Sequence, residues 1–475
     1  MVYPSTYPTL RYVNGFYLTI LGAPPITPYN GQMRSISYGF LTVFFILTGA
    51  QAETTLSLPH CLETAMGHNR ELIQARESIR QVEGGRIVVR SRFMPHLDLT
   101  ASYKARRTSL SDGKTDEQLG SALRFSQRLF EFGPDFAEEV QTREDLRQAV
   151  YAYEGQVYQV LARVWELFHL ILLQDRQIAI REESRDNFQL AYERQQARFA
   201  RQLATESDVL NAQLSVLDEE LALNNLERAQ FNNKMDLLRL IGQPIGTDIR
   251  IDGGSVEFTI DQDRAVEVAR KNSVAVSLAS ERLKEQGRVV REIAWEYSPD
   301  INLDAGVQDG QRNARIALGK KGRTWGMDVA SELALRNTDT PDPAGETRWS
   351  TLVEARIPIF EGSSRIGRET REKARLRQLE IGLRDLYAET ELNVRQAYQQ
   401  VLEAEGSQRI QAERVKIARR RLEINQILKD KGQVDENLLE TFRNQFFNTQ
   451  DQLFRNQETF IRRIAALRRQ MGYFE

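Results

Sequence analysis

Two segments of the chain decide its fold, because the second repeats the first. Residues 70–99 read RELIQARESIRQVEGGRIVVRSRFMPHLDL, and residues 274–303 read VAVSLASERLKEQGRVVREIAWEYSPDINL. They align without a gap, and Pro299 corresponds to Pro95 at an offset of 204 (299 − 95 = 204). This period is too long for a solenoid unit, so it indicates a duplicated supersecondary module.

The two halves differ in length at one place. Phe360 corresponds to Phe130 at an offset of 230 (360 − 130 = 230), which exceeds the earlier offset by 26 (230 − 204 = 26). The inserted residues therefore lie between Pro299 and Phe360 in the second half.

Strands are predicted after each proline, where apolar and polar residues alternate. Alternation is typical of half-buried strands, and proline suits the first residue of a strand. Pro95 and Pro299 are therefore predicted to lie at strand starts, with one hairpin of two strands in each half. Trp325, Met327 and Val329 form a further candidate stretch, so the strand boundaries of the second hairpin stay open.

The segments that follow the strands predict very long helices. From Pro134 to Ala200, a length of 67 (200 − 134 + 1 = 67), there is no further proline. Apolar side chains recur there with a period of seven, in two interleaved series: Val150, Val157, Val164, Ile171 and Ile178, and Tyr153, Val160 and Leu167. This a/d pattern predicts a helix that packs lengthwise on its neighbours, as in a coiled coil.

Composition and motifs argue against several classes of function. The charged fraction is 27%, the mean hydropathy is −0.49 and the formal net charge is −2, which gives no electrostatic case for a nucleic-acid partner. The four histidines are scattered, the only cysteine is Cys61, and no catalytic or phosphate-binding motif is present. We therefore expect no enzyme activity, no cofactor and no bound metal.

The N-terminal region has the order of a secretory signal peptide. Met33-Arg34 supplies a basic start, Phe40–Leu47 an apolar run and Ala50-Gln51-Ala52 a small-residue cleavage site. Cleavage after Ala52 is expected, with an uncleaved membrane anchor as the alternative. Three regions are therefore predicted: residues 1–52 as N-terminal extension and signal peptide, 53–242 as the first repeat, and 258–475 as the second repeat.

With these features in place, the chain from Leu56 to Gly472 resembles the TolC family of outer-membrane efflux proteins. Residues Leu56-Ser57-Leu58 followed by Leu62, Ala65, Asn69 and Glu71-Leu72 resemble the signature that opens each repeat of that family. The segment Phe199–Ala212, FARQLATESDVLNA, resembles the turn where the family's long descending helix reverses. The resemblance rests on the order of these features, which occurs in both halves of the chain and follows a signal peptide.

The resemblance implies a mainly α fold with a membrane β part and an internal two-fold repeat. Long antiparallel coiled-coil helices would form a tunnel in the periplasm. Each chain would give four strands to a twelve-stranded β-barrel, which three copies close in the outer-membrane lipid. Such a homotrimer works with a periplasmic adaptor (membrane fusion) protein and an inner-membrane pump.

The resemblance also implies site residues. Asp208 falls where the family narrows the tunnel at its periplasmic end, and Glu440 is the nearest acid in the second half, where Leu438 replaces a common aspartate. The plain alternative for Asp208 is a helix cap with Thr205. Residues expected to dock an adaptor lie in the two turns between long helices: Phe199, Leu203 and Thr205 in the first, and Gly432, Val434 and Asp435 in the second.

The expected function is an outer-membrane channel-tunnel that passes small molecules, such as drugs and toxic compounds, from an inner-membrane pump to the exterior. A conduit for type I protein secretion uses the same architecture and is an alternative. A periplasmic coiled-coil scaffold without a channel is a third candidate, and a periplasmic enzyme or binding protein is a fourth.

Overall fold

The computed structural model describes residues 54–107, 115–132, 137–254, 256, 258–294, 299–309, 312–321, 324–337, 347–357, 359 and 362–473. The signal peptide and the Phe360 landmark lie outside the described residues. The chain divides into two compact units, one formed by residues 1–70, 157–272 and 392–475 (unit 1) and the other by 71–156 and 273–391 (unit 2). Each unit takes segments from both sequence repeats.

The described residues form eight helices and eight strands, which are labelled in chain order. The strands are β1 (Thr54–Leu56), β2 (His96–Arg107), β3 (Thr115–Phe132), β4 (Ile249–Ile251), β5 (Asp300–Asp309), β6 (Arg312–Lys321), β7 (Thr324–Asn337) and β8 (Thr347–Arg356). The helices are α1 (Leu58–His68), α2 (Arg70–Ser91), α3 (Ala137–Ala200), α4 (Glu206–Ile241), α5 (Gln262–Asn272), α6 (Val274–Ala294), α7 (Ser364–Asp430) and α8 (Glu436–Met471).

The first and last residues of equivalent helices in the two repeats are separated by the same two offsets, 204 and 230, that the sequence shows. Helices α1 and α5 correspond at an offset of 204 at both ends (262 − 58 = 204; 272 − 68 = 204). Helices α4 and α8 correspond at an offset of 230 at both ends (436 − 206 = 230; 471 − 241 = 230). The predicted long helices are present, because α3 has 64 residues and α7 has 67. The chain therefore builds the same helical module twice.

The core of unit 1 surrounds the middle of α3. Val160, Val164, Leu167 and Ile171 of the predicted heptad series are buried there. Their neighbours Leu161, Trp165, Phe168 and Leu170 are buried as well, so α3 is covered on nearly every side in this segment. The heptad pattern predicts only one packed seam, whereas this part of α3 is enclosed by α5, α7 and α8.

The two repeats close their last helices in the same way. Gly242 caps α4 with φ of 72°, and a Cβ placed on it would lie 2.6 Å from the His68 carbonyl oxygen at the end of α1. Gly472 has φ of 58° after α8, and its Cβ would lie 3.1 Å from the Asn272 carbonyl oxygen at the end of α5. Both positions require glycine, since each combines left-handed backbone with close packing.

Unit 2 contains a six-stranded antiparallel sheet with the strand order β2-β3-β7-β6-β5-β8. Pro95 immediately precedes β2, and Pro299 immediately precedes β5. The four strands expected from the sequence correspond to β2, β3, β5 and β8. The number four is corrected to six, because the stretch with Trp325, Met327 and Val329 forms β7 and pairs with β6.

The two additional strands account for the insertion between the repeats. The span from Arg312, the first residue of β6, to Asn337, the last of β7, has a length of 26 (337 − 312 + 1 = 26), which equals the difference between the two offsets. Strands β5, β6 and β7 follow one another as neighbours, and β8 returns to pair with β5. This 4-1-2-3 order is a Greek key.

Candidate functional site

The two turns that join the long helices of unit 1 have the same backbone. After α3, the Leu203 N–H donates to the Arg198 carbonyl at 2.9 Å and the Gln202 N–H to Phe199 at 2.8 Å. After α7, the Gln433 N–H donates to Leu428 at 2.9 Å and the Gly432 N–H to Lys429 at 2.8 Å. Both helices thus end in a Schellman motif, whose left-handed residue normally is glycine.

Asp208 lies in the first turn of α4 and forms a capping box with Thr205. The Thr205 N–H and Oγ1 each donate to Asp208 Oδ2 at 2.8 Å, and the Asp208 N–H donates to Thr205 Oγ1 at 3.2 Å. These hydrogen bonds, with a smaller contribution from Arg198, hold the pKa of Asp208 below its usual range. Asp208 therefore acts as a helix cap with Thr205, and its side chain is also exposed to solvent.

The second turn carries its acids at different positions. At the offset of 230, Asp435 corresponds to Thr205, Leu438 to Asp208 and Glu440 to Leu210. Glu440 is half-buried on α8, whereas Leu438 is exposed. Two residues along a helix turn by roughly 200°, so Asp208 and Glu440 lie on opposite faces of equivalent helices.

Both turns present apolar side chains. Leu203 is 65% exposed and Phe199 is 47% exposed in the first turn, and Val434 is half-buried in the second. Leu203 and Phe199 are therefore accessible from solvent. The structure places Phe199, Leu203 and Thr205 together in one turn, and Gly432, Val434 and Asp435 in the other.

Four helices of unit 1 lie side by side in the order α7-α8-α3-α4. The Gln411 amide of α7 donates to the Thr449 carbonyl of α8 at 2.9 Å. Arg181 of α3 then binds Asp451 of α8 at 2.6 Å and Glu219 of α4 at 3.1 Å. Helices α7 and α4 are therefore the two ends of this row.

Each end helix presents an apolar stripe that no described part of the chain covers. On α4 the stripe has period seven in two series and comprises Leu210, Leu214, Leu217 and Leu221, which are 51–60% exposed. On α7 it comprises Ile410, Ile417, Ile424 and Ile427, which are 43–59% exposed. Both stripes have the spacing of the a and d positions of a coiled coil.

One face of the sheet in unit 2 is apolar. Residues paired across neighbouring strands share a face, and one such set contains Leu97, Leu99, Tyr103, Leu123, Phe125, Val329, Leu333, Ile316, Leu318, Leu303, Val307, Trp349 and Val353. Leu99 is 69% exposed and Trp349 is 80% exposed. Water-soluble proteins seldom expose a continuous apolar face of this kind.

The opposite face of the sheet is polar and carries ion pairs between strands. Arg124 of β3 binds Glu332 of β7 at 2.8 Å, and Arg128 binds Asp328 at 2.9 Å. The Arg315 Nε of β6 donates to Asp304 Oδ1 of β5 at 2.9 Å. A cavity of 570 Å³ is lined in part by the Arg128–Asp328 and Arg315–Asp304 pairs. The sheet is thus apolar on one side and polar on the other, although Leu352 of β8 is an apolar residue on the polar face.

Other groups of potential chemical interest are enclosed in unit 1. Cys61 is a buried free thiol on α1, and its burial raises the pKa of the thiol to about 11. Burial, with help from the Arg468 charge, lowers the pKa of His169 to about 4. Among the described residues there is no cluster of three potential metal ligands, and no helix there is long and apolar enough to cross a membrane.

Sequence reasoning missed two of these features. The stripes on α4 and α7 have the same period as the buried seam of α3, so the pattern alone does not distinguish a covered seam from an uncovered one. The six-stranded sheet was missed because β6 reads ARIALG at its centre, where only Ile316 and Leu318 are large and apolar. The signal that could have found it is the length of the insertion.

Comparisons with known proteins agree with this architecture. Residues 61–243 match the sequence model of the outer membrane efflux protein family. Among solved structures, CusC is 14% identical with a TM-score of 0.66, covering 88% of this chain and 92% of that one. VceC from Vibrio cholerae, an outer membrane protein, is 16% identical with a TM-score of 0.64, covering 88% and 96%. The CmeC outer membrane channel of Campylobacter jejuni is 14% identical with a TM-score of 0.62, covering 87% and 85%. A comparison with curated protein sequences gives no match.

Proposed function

Because residues 61–243 match the outer membrane efflux protein family and most of the chain has the fold of outer-membrane channels, we propose that three copies form an export channel through the outer membrane. The channel would take cargo from an inner-membrane pump through a periplasmic adaptor protein. Small molecules are the proposed cargo class.

The observation that carries this proposal is the two-faced sheet of unit 2. An open sheet is not stable in lipid, because backbone N–H and C=O groups at its edges find no hydrogen-bond partner there. Six strands with one apolar face and one charged face are suited to a barrel wall, with lipid outside and water inside. Closure of that wall requires further copies of the chain.

The stripes on α4 and α7 support the same assembly. They lie at opposite ends of the four-helix row of unit 1, and both have the heptad spacing that packs helix on helix. If α4 of one copy packs on α7 of the next, the exposed leucines and isoleucines are covered and the row becomes a closed ring. A homotrimer satisfies this requirement with identical contacts between all copies.

The proposed docking site for the adaptor consists of the two turns that join α3 to α4 and α7 to α8, here called the tip turns. Phe199, Leu203 and Val434 provide apolar contact area, and the Schellman motifs hold the two turns in the same conformation. The capping box at Thr205 and the two left-handed residues fix the chain direction, so a partner meets a preformed surface. Asp208 and Glu440 are proposed to contribute acidic groups near the periplasmic constriction.

Type I protein secretion stays the alternative, since the same conduit serves both cargo classes. A coiled-coil scaffold in the periplasm is disfavoured by the apolar sheet face, which a water-soluble scaffold would have to cover. An enzyme is disfavoured because residues 61–243 match a family of efflux proteins.

Cell fractionation combined with an export assay tests the proposal. The protein is expected in the outer-membrane fraction of a density gradient, and loss of the gene is expected to raise intracellular accumulation of toxic small molecules without reducing secreted protein. Loss of secreted protein alone would favour type I secretion. Recovery of the protein in the soluble periplasmic fraction would contradict the channel.

A further inference from the structure

The insertion in the second repeat adds two strands to the sheet of unit 2 rather than a surface loop. Strands β6 and β7 lie in the middle of the sheet, between β3 and β5, and pair with neighbours on both sides. A loop excursion would instead leave β3 paired with β5. The insertion thus separates two strands that a four-stranded version of the sheet would join.

Both inserted strands are long enough to cross a bilayer. Strand β6 has 10 residues and β7 has 14, and a tilted membrane strand needs roughly 9–11. Because two strands are added, the alternation of strand directions is preserved: β3 is antiparallel to β7, and β6 to β5. A single inserted strand would have broken this alternation.

The inserted strands also obey the two-faced pattern. Ile316, Val329 and Leu333 lie on the apolar face, in register with one another or with Leu123 of β3. Arg315, Asp328 and Glu332 lie on the polar face, where each forms an ion pair with β5 or β3. Side chains of β6 and β7 are therefore distributed as a position in the barrel wall requires.

We propose that each chain contributes six strands to the barrel, so that three copies close an eighteen-stranded wall through β8 of one copy and β2 of the next. This rests on the trimeric channel proposed above and replaces its expected twelve strands. Barrel diameter grows nearly in proportion to strand number, so the wall widens by about half, from roughly 24 Å to roughly 36 Å between backbones.

The register of the sheet limits which residues can meet between neighbouring copies. Directly paired residues can be followed from strand to strand across the sheet. This series begins at His96, the first residue of β2, and ends at Ser350 of β8, by way of Ser126, Ala330, Arg315 and Gly306. Ser350 lies six residues before the end of β8 at Arg356 (356 − 350 = 6). The strands are thus staggered by about six residues over one chain.

Three-fold symmetry extends this series to the next copy. A stagger of six residues per chain places Ser350 opposite Ser102 of the next copy and gives a strand tilt of roughly 35°. A stagger of eight places it opposite Lys104 at roughly 43°, and barrels tilt by roughly 35–45°. Odd staggers are excluded, because directly paired residues must share a face.

Two disulfide pairs test the proposal in the assembled protein. The first, Ser126→Cys with Ala330→Cys, joins β3 to β7 within a chain. The second, Ser350→Cys with Ser102→Cys or Lys104→Cys, joins two copies. Cysteines directly opposite each other in a ladder meet the Cα separation of roughly 4.4–6.8 Å that a disulfide needs. The native Cys61 is buried and is retained.

Matched controls place one cysteine on the wrong face. Ser126→Cys with Ser331→Cys and Ser102→Cys with Thr351→Cys have similar sequence positions but opposite faces, so they should not cross-link. Both test pairs are expected to oxidise in outer membranes, the second giving a covalent species of three chains. Cross-linking between copies without the Ser126–Ala330 bond would overturn the six-stranded wall and leave the trimeric channel intact. Failure of both, with the protein outside the membrane, would overturn the channel as well.

Deletion of residues 312–337 provides an independent measurement. It removes β6 and β7 and leaves β3 and β5 with the correct antiparallel directions to pair. In planar bilayers, polyethylene glycols added on the barrel side lower the conductance when they enter the lumen. The radius of the largest polymer that enters is expected to fall by at least about a third in the deletion variant, because the side chains that line the lumen take up the same thickness in both barrels. An unchanged radius would show that β6 and β7 are not part of the wall.

Discussion

Gln202 and Gly432 occupy the same left-handed position in two turns related by the offset of 230 (432 − 202 = 230). Their φ angles are 61° and 73°, and the hydrogen bonds around them are the same. One turn has the residue that this backbone favours, whereas the other places a side chain where the left-handed conformation costs free energy.

The first prediction concerns this pair. Gln202→Gly should stabilise the first turn by about 0.5–1 kcal/mol. Glycine removes the cost of the left-handed conformation, and the larger conformational entropy that glycine loses on folding offsets only part of this gain. Hydrogen exchange of the amides around the turn should slow by about 2–5-fold. Gly432→Ala is the matched opposite change and should speed exchange in the second turn. If both variants exchange like the wild type, the two turns are not held by their Schellman motifs.

The second prediction is a pH dependence from His169. Its pKa is about 4 in the folded protein, against an ordinary value of 6.5. The unfolded chain therefore binds the proton first, so stability is complete above pH 6.5 and falls as the pH drops toward 4, by about 3 kcal/mol in total.

The His169→Phe variant should lack this part of the acid sensitivity. Thermal unfolding of the detergent-solubilised protein between pH 4 and 7 measures it, and His60→Gln, at an exposed position, serves as the control. Parallel curves for wild type and His169→Phe would mean that the imidazole reaches solvent.

The third prediction tests the stripe on α4. Leu217→Asp places a charge in the proposed contact with α7 of the next copy and should abolish the trimer, while the fold of each chain stays intact because Leu217 is exposed within it. Ser215→Asp adds the same charge to α4 at a site roughly 100° or more around the helix from every stripe residue, and it should leave the trimer unchanged. Native mass spectrometry distinguishes the two. A trimer that survives Leu217→Asp would place the contact elsewhere.

The fourth prediction concerns adaptor docking. Leu203→Asp combined with Val434→Asp should abolish export, because both tip turns lose apolar contact area. Insertion into the outer membrane should not change. Cross-linking of the tip to the adaptor in cells gives a direct readout, and Leu190→Asp on α3 is a control outside the turns. Normal export by the double variant would show that docking uses other residues.

The fifth prediction separates the two roles of Asp208. In a trimer three carboxylates near one axis would favour cations, so Asp208→Asn should weaken cation preference and block by trivalent cations in single-channel recordings. The lowered pKa of Asp208 means that its charge, and the stability from its bonds to Thr205, persist to a lower pH than for an ordinary aspartate, and both are lost on further acidification. Unchanged reversal potential and block in Asp208→Asn would leave the residue only as a helix cap.

The sequence predicts the helical architecture well, because its signals are local. Proline before β2 and β5, the heptad series on α3 and the offsets of 204 and 230 all correspond to features of the structure. The assembly is harder to predict, since exposed Leu217 and buried Val164 have the same heptad periodicity and differ only in tertiary surroundings. The prediction of strand number was wrong for a similar reason. Strand β6 contains few large apolar residues, and its position in the sheet is set by its pairing with β5 and β7 rather than by its own sequence.

Cryo-electron microscopy of the protein extracted from outer membranes into lipid nanodiscs tests the central claim most directly. A cross-section through the bilayer should show three copies around one closed barrel of eighteen strands, with β8 of each copy next to β2 of the following one. Separate chains with an open sheet outside the bilayer would contradict the channel, and a closed barrel of twelve strands would contradict the role assigned to β6 and β7.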